Sequence, residues 1–327
     1  MVLLFRCTAG GNQGWGNLKR LELIFNFLKK NINFDYKFLI NKNKDVENYL
    51  KIKKIKYISI DNNLKNEKKI LKKFKNVDIS ILELLHCNLN IQKIYKKISS
   101  KLIILDDITK KRYISDILIS CQRKNFIPKK NVSCKFYNDF SYFPLKSSFN
   151  KFISRKKKTK KVINKVTVFL GGSDYSKLNT KIAEKLKDLK LDVTFLIGLE
   201  NSLDTSKKIK GISNKFKVLI NSTQIPKILF NSDLVISGGG YTKLETAFLK
   251  TPMICVPVHD HQKTLIRQFY KAFKIKIIYS RILFQENLKN EIQKLNYEKN
   301  LIIKKKFSKF FIENGINKIF KLINEKN

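Results

Sequence analysis

The chain's pattern predicts two α/β domains, each a parallel sheet covered by helices. Three observations carry this. At 327 residues the chain is long for one core and comfortable for two domains of about 150 residues. Short apolar runs alternate with helix-periodic segments in both halves, as in a parallel sheet with helices on its faces. In each half a strand-like run ends in a glycine cluster, where such sheets present their ligand loops.

In the N-terminal half, Val2 to Phe5 is a short apolar strand, followed by the loop RCTAGGNQGWGNLKR and an apolar-periodic helix over Leu18 to Lys30. Asp35 to Ile40 and Lys56 to Ile60 read as strands, and Asn66 to Lys75 and Asn88 to Ile98 as helices. Leu102 to Leu105 is a fully apolar strand that delivers Asp106 and Asp107 to the carboxyl edge of the sheet. The N-terminal domain is expected over residues 1–150, on the sugar or acceptor side. A basic stretch without a core pattern follows, SSFNKFISRKKKTKK, and residues 151–164 are read as a solvated linker, or as a surface loop near one.

The second domain is expected over residues 165–303. Lys165 to Leu170 is a strand ending in GGSD, Gly171 to Asp174, before a helix over Lys177 to Leu189. Val193 to Ile197 is a strand ending at Gly198, and Val218 and Leu219 mark another. A helical turn at Ile225 to Phe230 precedes the strand Leu234 to Ser237, which runs into GGG. Lys243 to Leu249 is helical, Met253 to Val256 is a strand before PVHDHQ, and a helix follows from Gln262. Residues 304–327 mix lysines with Phe307, Phe310, Phe311, Ile319 and Phe320 and read as one amphipathic helix packed on the body.

Hydrophobic residues make up 43%, which excludes global disorder. The five cysteines are scattered without CxxC spacing, which points to a reducing, cytoplasmic setting. MVLLF is too short for a secretory leader, and no apolar run reaches bilayer-spanning length. The formal net charge is +42. Lysine is spread along the whole chain with abundant asparagine and isoleucine, which is a composition bias, and few aromatics interleave as a stacking platform would need. No specific nucleic-acid partner is expected. The charge should help an anionic substrate approach, and it makes peripheral contact with the anionic inner face of a membrane an expectation.

The strongest chemical signal is VISGGGYTKLE, Val235 to Glu245. Gly238, Gly239 and Gly240 let the backbone turn and approach a ligand closely. The helix that follows offers free N–H groups, which suits a diphosphate. The spacing is neither a P-loop nor GxGxxG. Thr242 could cap that helix with Glu245 completing a capping box, or Glu245 could accept from both hydroxyls of a ribose. Gly171, Gly172 and Ser173 form the matching loop and would be the other wall of a nucleotide pocket. His259 or Gln262 could point at the sugar or diphosphate. No metal site is expected, since no HExxH or histidine cluster is present. In the N-terminal loop, Gly14 and Gly16 bring the backbone close to a ligand. Asn17 could cap the first helix or hold a sugar hydroxyl, but an amide cannot act as a base. Arg20, one turn on, could pair with an acid or a phosphate.

RCTAGGNQGWGNLKR resembles the N-terminal motif of the pseudaminic-acid pathway UDP-sugar hydrolases and related spore-coat polysaccharide proteins, whose usual pattern is RCDAxxxIGxGHxxR. FLGGSD and VISGGGYTKLETAFLKTPMICVPVHDHQ resemble the C-terminal half of the same family. They are also similar to the C-terminal domain of the peptidoglycan N-acetylglucosaminyl transferase group. The resemblance implies a GT-B fold of two facing Rossmann-like domains. It implies Gly239 and Gly240 at the diphosphate, Glu245 at the ribose and Gln262 at the sugar. The family's aspartate, isoleucine and histidine are Thr8, Gln13 and Asn17 here. With the histidine gone, Asp107 or Asp106 is the expected base.

The expected activity is that of a UDP-sugar enzyme of surface polysaccharide or glycan synthesis, a glycosyltransferase or a hydrolase, needing no cofactor. The alternatives are hydrolysis of UDP-2,4-diacetamido-2,4,6-trideoxy-β-L-altropyranose proper, or nucleotide-sugar binding without catalysis.

Overall fold

The computed structural model describes the chain except residues 62, 75, 108–111, 122–133, 173–176, 199–201, 280–287, 296 and 326–327, together with the side chains of Asn12 and His261. It divides into two compact units, Met1–Pro144 with Asn314–Asn327, and Leu145–Glu313.

The first unit is built on a seven-stranded, wholly parallel sheet. Its strands are β1 (Val2–Cys7), β2 (Asp35–Asn41), β3 (Tyr57–Ile60), β4 (Val77–Glu83), β5 (Ser99–Leu105), β6 (Ile117–Ser120) and β7 (Lys135–Asn138), in the order β3-β2-β1-β4-β5-β6-β7. The order reverses between β1 and β4, so the loops after those two strands flank the crevice where such sheets bind ligands. Side chains alternate along β1. Leu3, Phe5 and Cys7 join α1 (Gly16–Asn31) and α2 (Lys44–Ile52) in one core. Leu4 joins the opposite core, over which α3 (Leu64–Leu71) and α4 (Leu89–Ile98) lie. Arg6 is buried on that side and donates to Glu67 of α3 (Nε–Oε1 2.8 Å) and to Asn41 (2.7 Å).

The second unit holds six parallel strands: β8 (Lys165–Phe169), β9 (Asp192–Ile197), β10 (Lys217–Ile220), β11 (Leu234–Gly238), β12 (Met253–Val256) and β13 (Lys276–Ile277), in the order β10-β9-β8-β11-β12-β13. Here the order reverses between β8 and β11, the two strands that deliver the glycine clusters. The helices are α5 (Leu178–Leu186), α6 (Ser202–Ile212), α7 (Ile225–Asn231), α8 (Thr242–Phe248), α9 (Asp260–Phe273), α10 (Leu288–Gln293) and α11 (Tyr297–Phe310). Phe269 and Phe273 of α9 stack with Phe307 of α11 and fasten that helix to the unit.

Two expectations about organisation are corrected. The segment 151–164 is no free linker. Ser147–Phe152 forms a 3-10 turn whose Phe149 packs edge-on against Phe248. Lys157 is buried and donates to the carbonyls of Phe230 and Ser232, satisfying the end of α7. Burial lowers its ammonium pKa to about 7. The tail is not one helix either. α11 belongs to the second unit, and α12 (Ile316–Asn324) belongs to the first, where Ile316, Ile319, Leu322 and Ile323 enter the α1 core. Lys101 of β5 caps the end of α12, donating to the carbonyls of Leu322 (2.9 Å) and Glu325 (2.7 Å). Among the described residues no helix is long and apolar enough to cross a membrane.

Candidate nucleotide-sugar site

The second unit gathers its glycines at one edge of the sheet. Their packing reasons differ from those a turn would give. Gly238, Gly239 and Gly240 do not have positive φ; Gly171 does, at +121°. A Cβ on Gly238 would lie 2.1 Å from the Leu170 carbonyl oxygen of the neighbouring strand end. One on Gly239 would lie 2.4 Å from Ile266 Cδ1 and 2.9 Å from Gln262 Oε1, and one on Gly198 would lie 2.4 Å from the backbone of Gly172. These positions are glycine because backbone packs on backbone or on α9. Gly240 is different: its nearest neighbour is Gln262 Nε2, at 3.4 Å, which is ordinary contact. Its Cβ direction is otherwise open.

Gln262 is thereby brought to the GGG loop. Its Oε1 accepts from the Val258 N–H (2.9 Å), which turns its Nε2 toward Gly240. Thr242 is the first residue of α8 and does not cap it: the N-cap is Tyr241, without a side-chain bond. The Thr242 hydroxyl donates instead to the Gly238 carbonyl (3.1 Å). The expected capping box is therefore not formed, and Glu245 is left for another task. Its side chain is half-buried, and among the described residues nothing donates to its carboxylate. Burial pushes the Glu245 carboxyl up to about 7, against the pull of Lys146.

Lys243 went unnoticed in the sequence. It is fully buried, and its Nζ donates to the carbonyls of Gly239 (2.8 Å) and Gly240 (2.9 Å), with the Phe269 ring 5.8 Å away. His259 is a half-buried, extended residue at the N-cap of α9; its carbonyl accepts from the Gln262 N–H (3.0 Å), and its side chain does not cap the helix. Ser173 lies outside the described residues.

In the first unit the loop after β1 folds on itself. Gly10 N donates to Gly14 O (2.9 Å), and Gly10, Gly11 and Gly14 take φ of +84°, +54° and +71°, conformations that favour glycine. Gly16 opens α1, whose N-cap is Trp15. Asn17 is therefore inside the helix and is not its cap. Its Nδ2 donates to Thr8 Oγ1 (3.3 Å), which also accepts from the Leu85 N–H after β4 (3.1 Å). Two of the three positions at which this loop departs from the hydrolase pattern, Thr8 and Asn17, thus contact each other, and both are neutral.

The acids expected as bases are tied up. Asp107 is buried. Its Oδ1 accepts from Cys121 N (2.8 Å) and Ser120 Oγ (3.1 Å), and its Oδ2 pairs with Arg20 (2.7 Å). Arg20 pairs also with Glu83 of β4 (2.7 Å) and is buried. Asp106 is buried and accepts from the Tyr113 hydroxyl (3.0 Å). Donors on both oxygens favour the charged form of Asp107 and make it a poor proton acceptor for a substrate. No group of three or more metal-ligating side chains occurs among the described residues.

Both units together have the GT-B fold of glycosyltransferases. MurG of Acinetobacter baumannii superposes with a TM-score of 0.66 at 14% identity, covering 99% of this chain and 99% of that one. CalG4, the calicheamicin glycosyltransferase, gives 0.64 at 9% identity, covering 98% and 97%. The UDP-GlcNAc 2-epimerase from Neisseria meningitidis, solved bound to UDP-GlcNAc, gives 0.58 at 13%, covering 99% and 100%. Residues 166–321 match the Glycosyltransferase family 28 C-terminal domain, the part that carries the GGG loop, Glu245 and Gln262. An uncharacterised protein of Methanocaldococcus jannaschii is 27% identical over 285 residues, 81% of this chain and 56% of that protein. The chain thus spans little more than half the length of that relative.

Proposed function

We propose that the chain is a UDP-sugar enzyme of glycan synthesis, a glycosyltransferase that holds its donor on the second unit. The observation that carries this is Glu245. A half-buried carboxyl without a donor among the described residues lies one turn beyond the GGG loop, at the point where strand order reverses. Such a carboxylate suits the two hydroxyls of a ribose. The loop's N–H groups would take the diphosphate, and Gln262 Nε2 would face the sugar. The family 28 match over the same residues supports the reading.

Hydrolysis is the second reading, favoured by the likeness of RCTAGGNQGWGNLKR to the hydrolase motif. Against it stands the neutral Thr8–Asn17 pair, because a general base typically contributes about 10²–10⁴-fold. The chain's excess of lysine supports a cytoplasmic enzyme that touches an anionic membrane face, which co-sedimentation with anionic vesicles would test.

Incubation with UDP-GlcNAc and other UDP-sugars, with and without glycan or lipid acceptors, separates the outcomes. UDP with a glycosylated acceptor supports transfer, and UDP with free sugar supports hydrolysis. Binding without turnover leaves a nucleotide-sugar-binding protein. A protein that binds no UDP-sugar overturns the assignment.

A further inference from the structure

Lysines in this chain lie mostly on the surface, and one that is fully buried needs a reason. Burying an ammonium costs several kcal/mol unless its donors are satisfied. Lys243 meets that cost with two successive carbonyls of the glycine loop, Gly239 at 2.8 Å and Gly240 at 2.9 Å. The peptide bond is planar and trans, so the N–H across each bond points opposite to its carbonyl. The N–H groups of Gly240 and Tyr241 belong to those two peptides. With both carbonyls drawn onto one ammonium, both N–H groups are turned away from it. Among the described residues nothing accepts from the Gly240 N–H. Consecutive N–H groups aimed one way form an anion-binding nest, and the buried positive charge behind them favours an anion in front of them.

We infer that Lys243 is a positioning residue for the donor's diphosphate: from beneath the GGG loop it holds the backbone amides of Gly240 and Tyr241 toward the phosphates without touching the ligand. This rests on the UDP-sugar reading above. It also separates the pocket into two parts. Glu245 serves the nucleoside, and Lys243 serves only the diphosphate.

Calorimetry with uridine and with UDP tests it, on wild type, Lys243→Met and Lys243→Gln. Methionine keeps the length and loses both charge and donors; glutamine keeps one donor. Wild type should bind UDP more tightly than uridine. In Lys243→Met that advantage should shrink by about ten- to a hundred-fold while uridine affinity stays within about two-fold, and Lys243→Gln should fall between. Retained uridine binding also certifies that each variant is folded. A full UDP advantage in both variants overturns the inference. So does loss of uridine affinity in both, which would make Lys243 a general prop of the domain. A wild type that binds uridine and UDP equally would instead remove the diphosphate site, and with it the UDP-sugar reading.

Discussion

At the scale of single residues, the site is governed by which polar groups are already spoken for. Among the described residues nothing donates to the Glu245 carboxylate, and burial, which disfavours its charge, pushes its carboxyl up to about 7. Ribose hydroxyls donate best to the ionised form, so uridine affinity should rise between about pH 6 and 8 and level off above. Uridine carries no phosphate to confuse the titration, and Glu245→Gln should abolish the dependence. A flat profile in wild type would remove Glu245 from the ribose. The sign for stability is opposite. A carboxyl raised above its unfolded value contributes fully below about pH 4.5, and that contribution is lost as pH rises through about 7. Asp107 is the contrasting case. Removing its charge takes one of two carboxylates from the buried Arg20 and leaves it Glu83. Asp107→Asn should cost somewhat less than the ~3–5 kcal/mol of a fully broken buried pair, seen as an earlier urea midpoint. Lost turnover with unchanged stability would restore it as a base. The sequence marked Asp107 through its place after an apolar strand, and that place is right. It could not show Arg20, Ser120 and Cys121 converging on it from distant parts of the chain. Lys243 was illegible for a related reason: among so many lysines, one more looks solvated, and only the path of the glycine loop shows where its ammonium goes.

At the scale of elements, the glycine loops were legible and their physics was not. GGG reads as a sharp turn, yet none of the three has a left-handed backbone, and two are glycine because a neighbouring strand or helix occupies the space of a side chain. This yields a contrast. Gly238→Ala must push against the Leu170 carbonyl and should destabilise the protein by about 1–3 kcal/mol. Gly240→Ala meets only ordinary contact and should fold normally, within about 0.5 kcal/mol of wild type, while weakening UDP by ten-fold or more if the phosphates approach that backbone. Thermal melts and UDP titration on both variants decide, and normal UDP affinity in Gly240→Ala would put the diphosphate elsewhere. Strands β1, β2, β8, β11 and β12 were visible as short apolar runs. VDISILE, which became the central strand β4, was not assigned. A fully buried strand has no alternation to betray it, and its period cannot be told from a buried helix segment.

At the scale of the whole molecule, the sequence showed two α/β domains but divided them wrongly at both ends. Basic composition suggested a linker over 151–164, whereas Lys157 within it, and Phe149 just before it, pack on the second unit. Aromatic periodicity suggested one tail helix, yet Asn314 and Gly315 interrupt it. The Gly315 N–H donates to Phe143 O (3.1 Å), and a Cβ there would strike the Tyr142 backbone at 2.5 Å. Ending the chain after Glu313 would uncover the α1 face that Ile316, Ile319, Leu322 and Ile323 fill. At about 1.5–3 kcal/mol for each buried side chain, the loss rivals the ~5–15 kcal/mol that holds a domain together. Limited proteolysis should then cut the first unit rapidly and spare residues 145–313. Equal resistance of both units would show that α12 is dispensable.

The return of the chain to its first unit also sets an order of events at the ribosome. Domains usually fold as they emerge, the N-terminal one first. Here the N-terminal unit cannot close its α1 layer until residues 314–325 have been made, after the whole of the second unit. At ordinary translation speeds, on the order of ten to thirty seconds pass between the two, with the apolar face of α1 open throughout. The second unit is thus finished first, and the unit whose synthesis begins earliest is the one that waits and needs shelter.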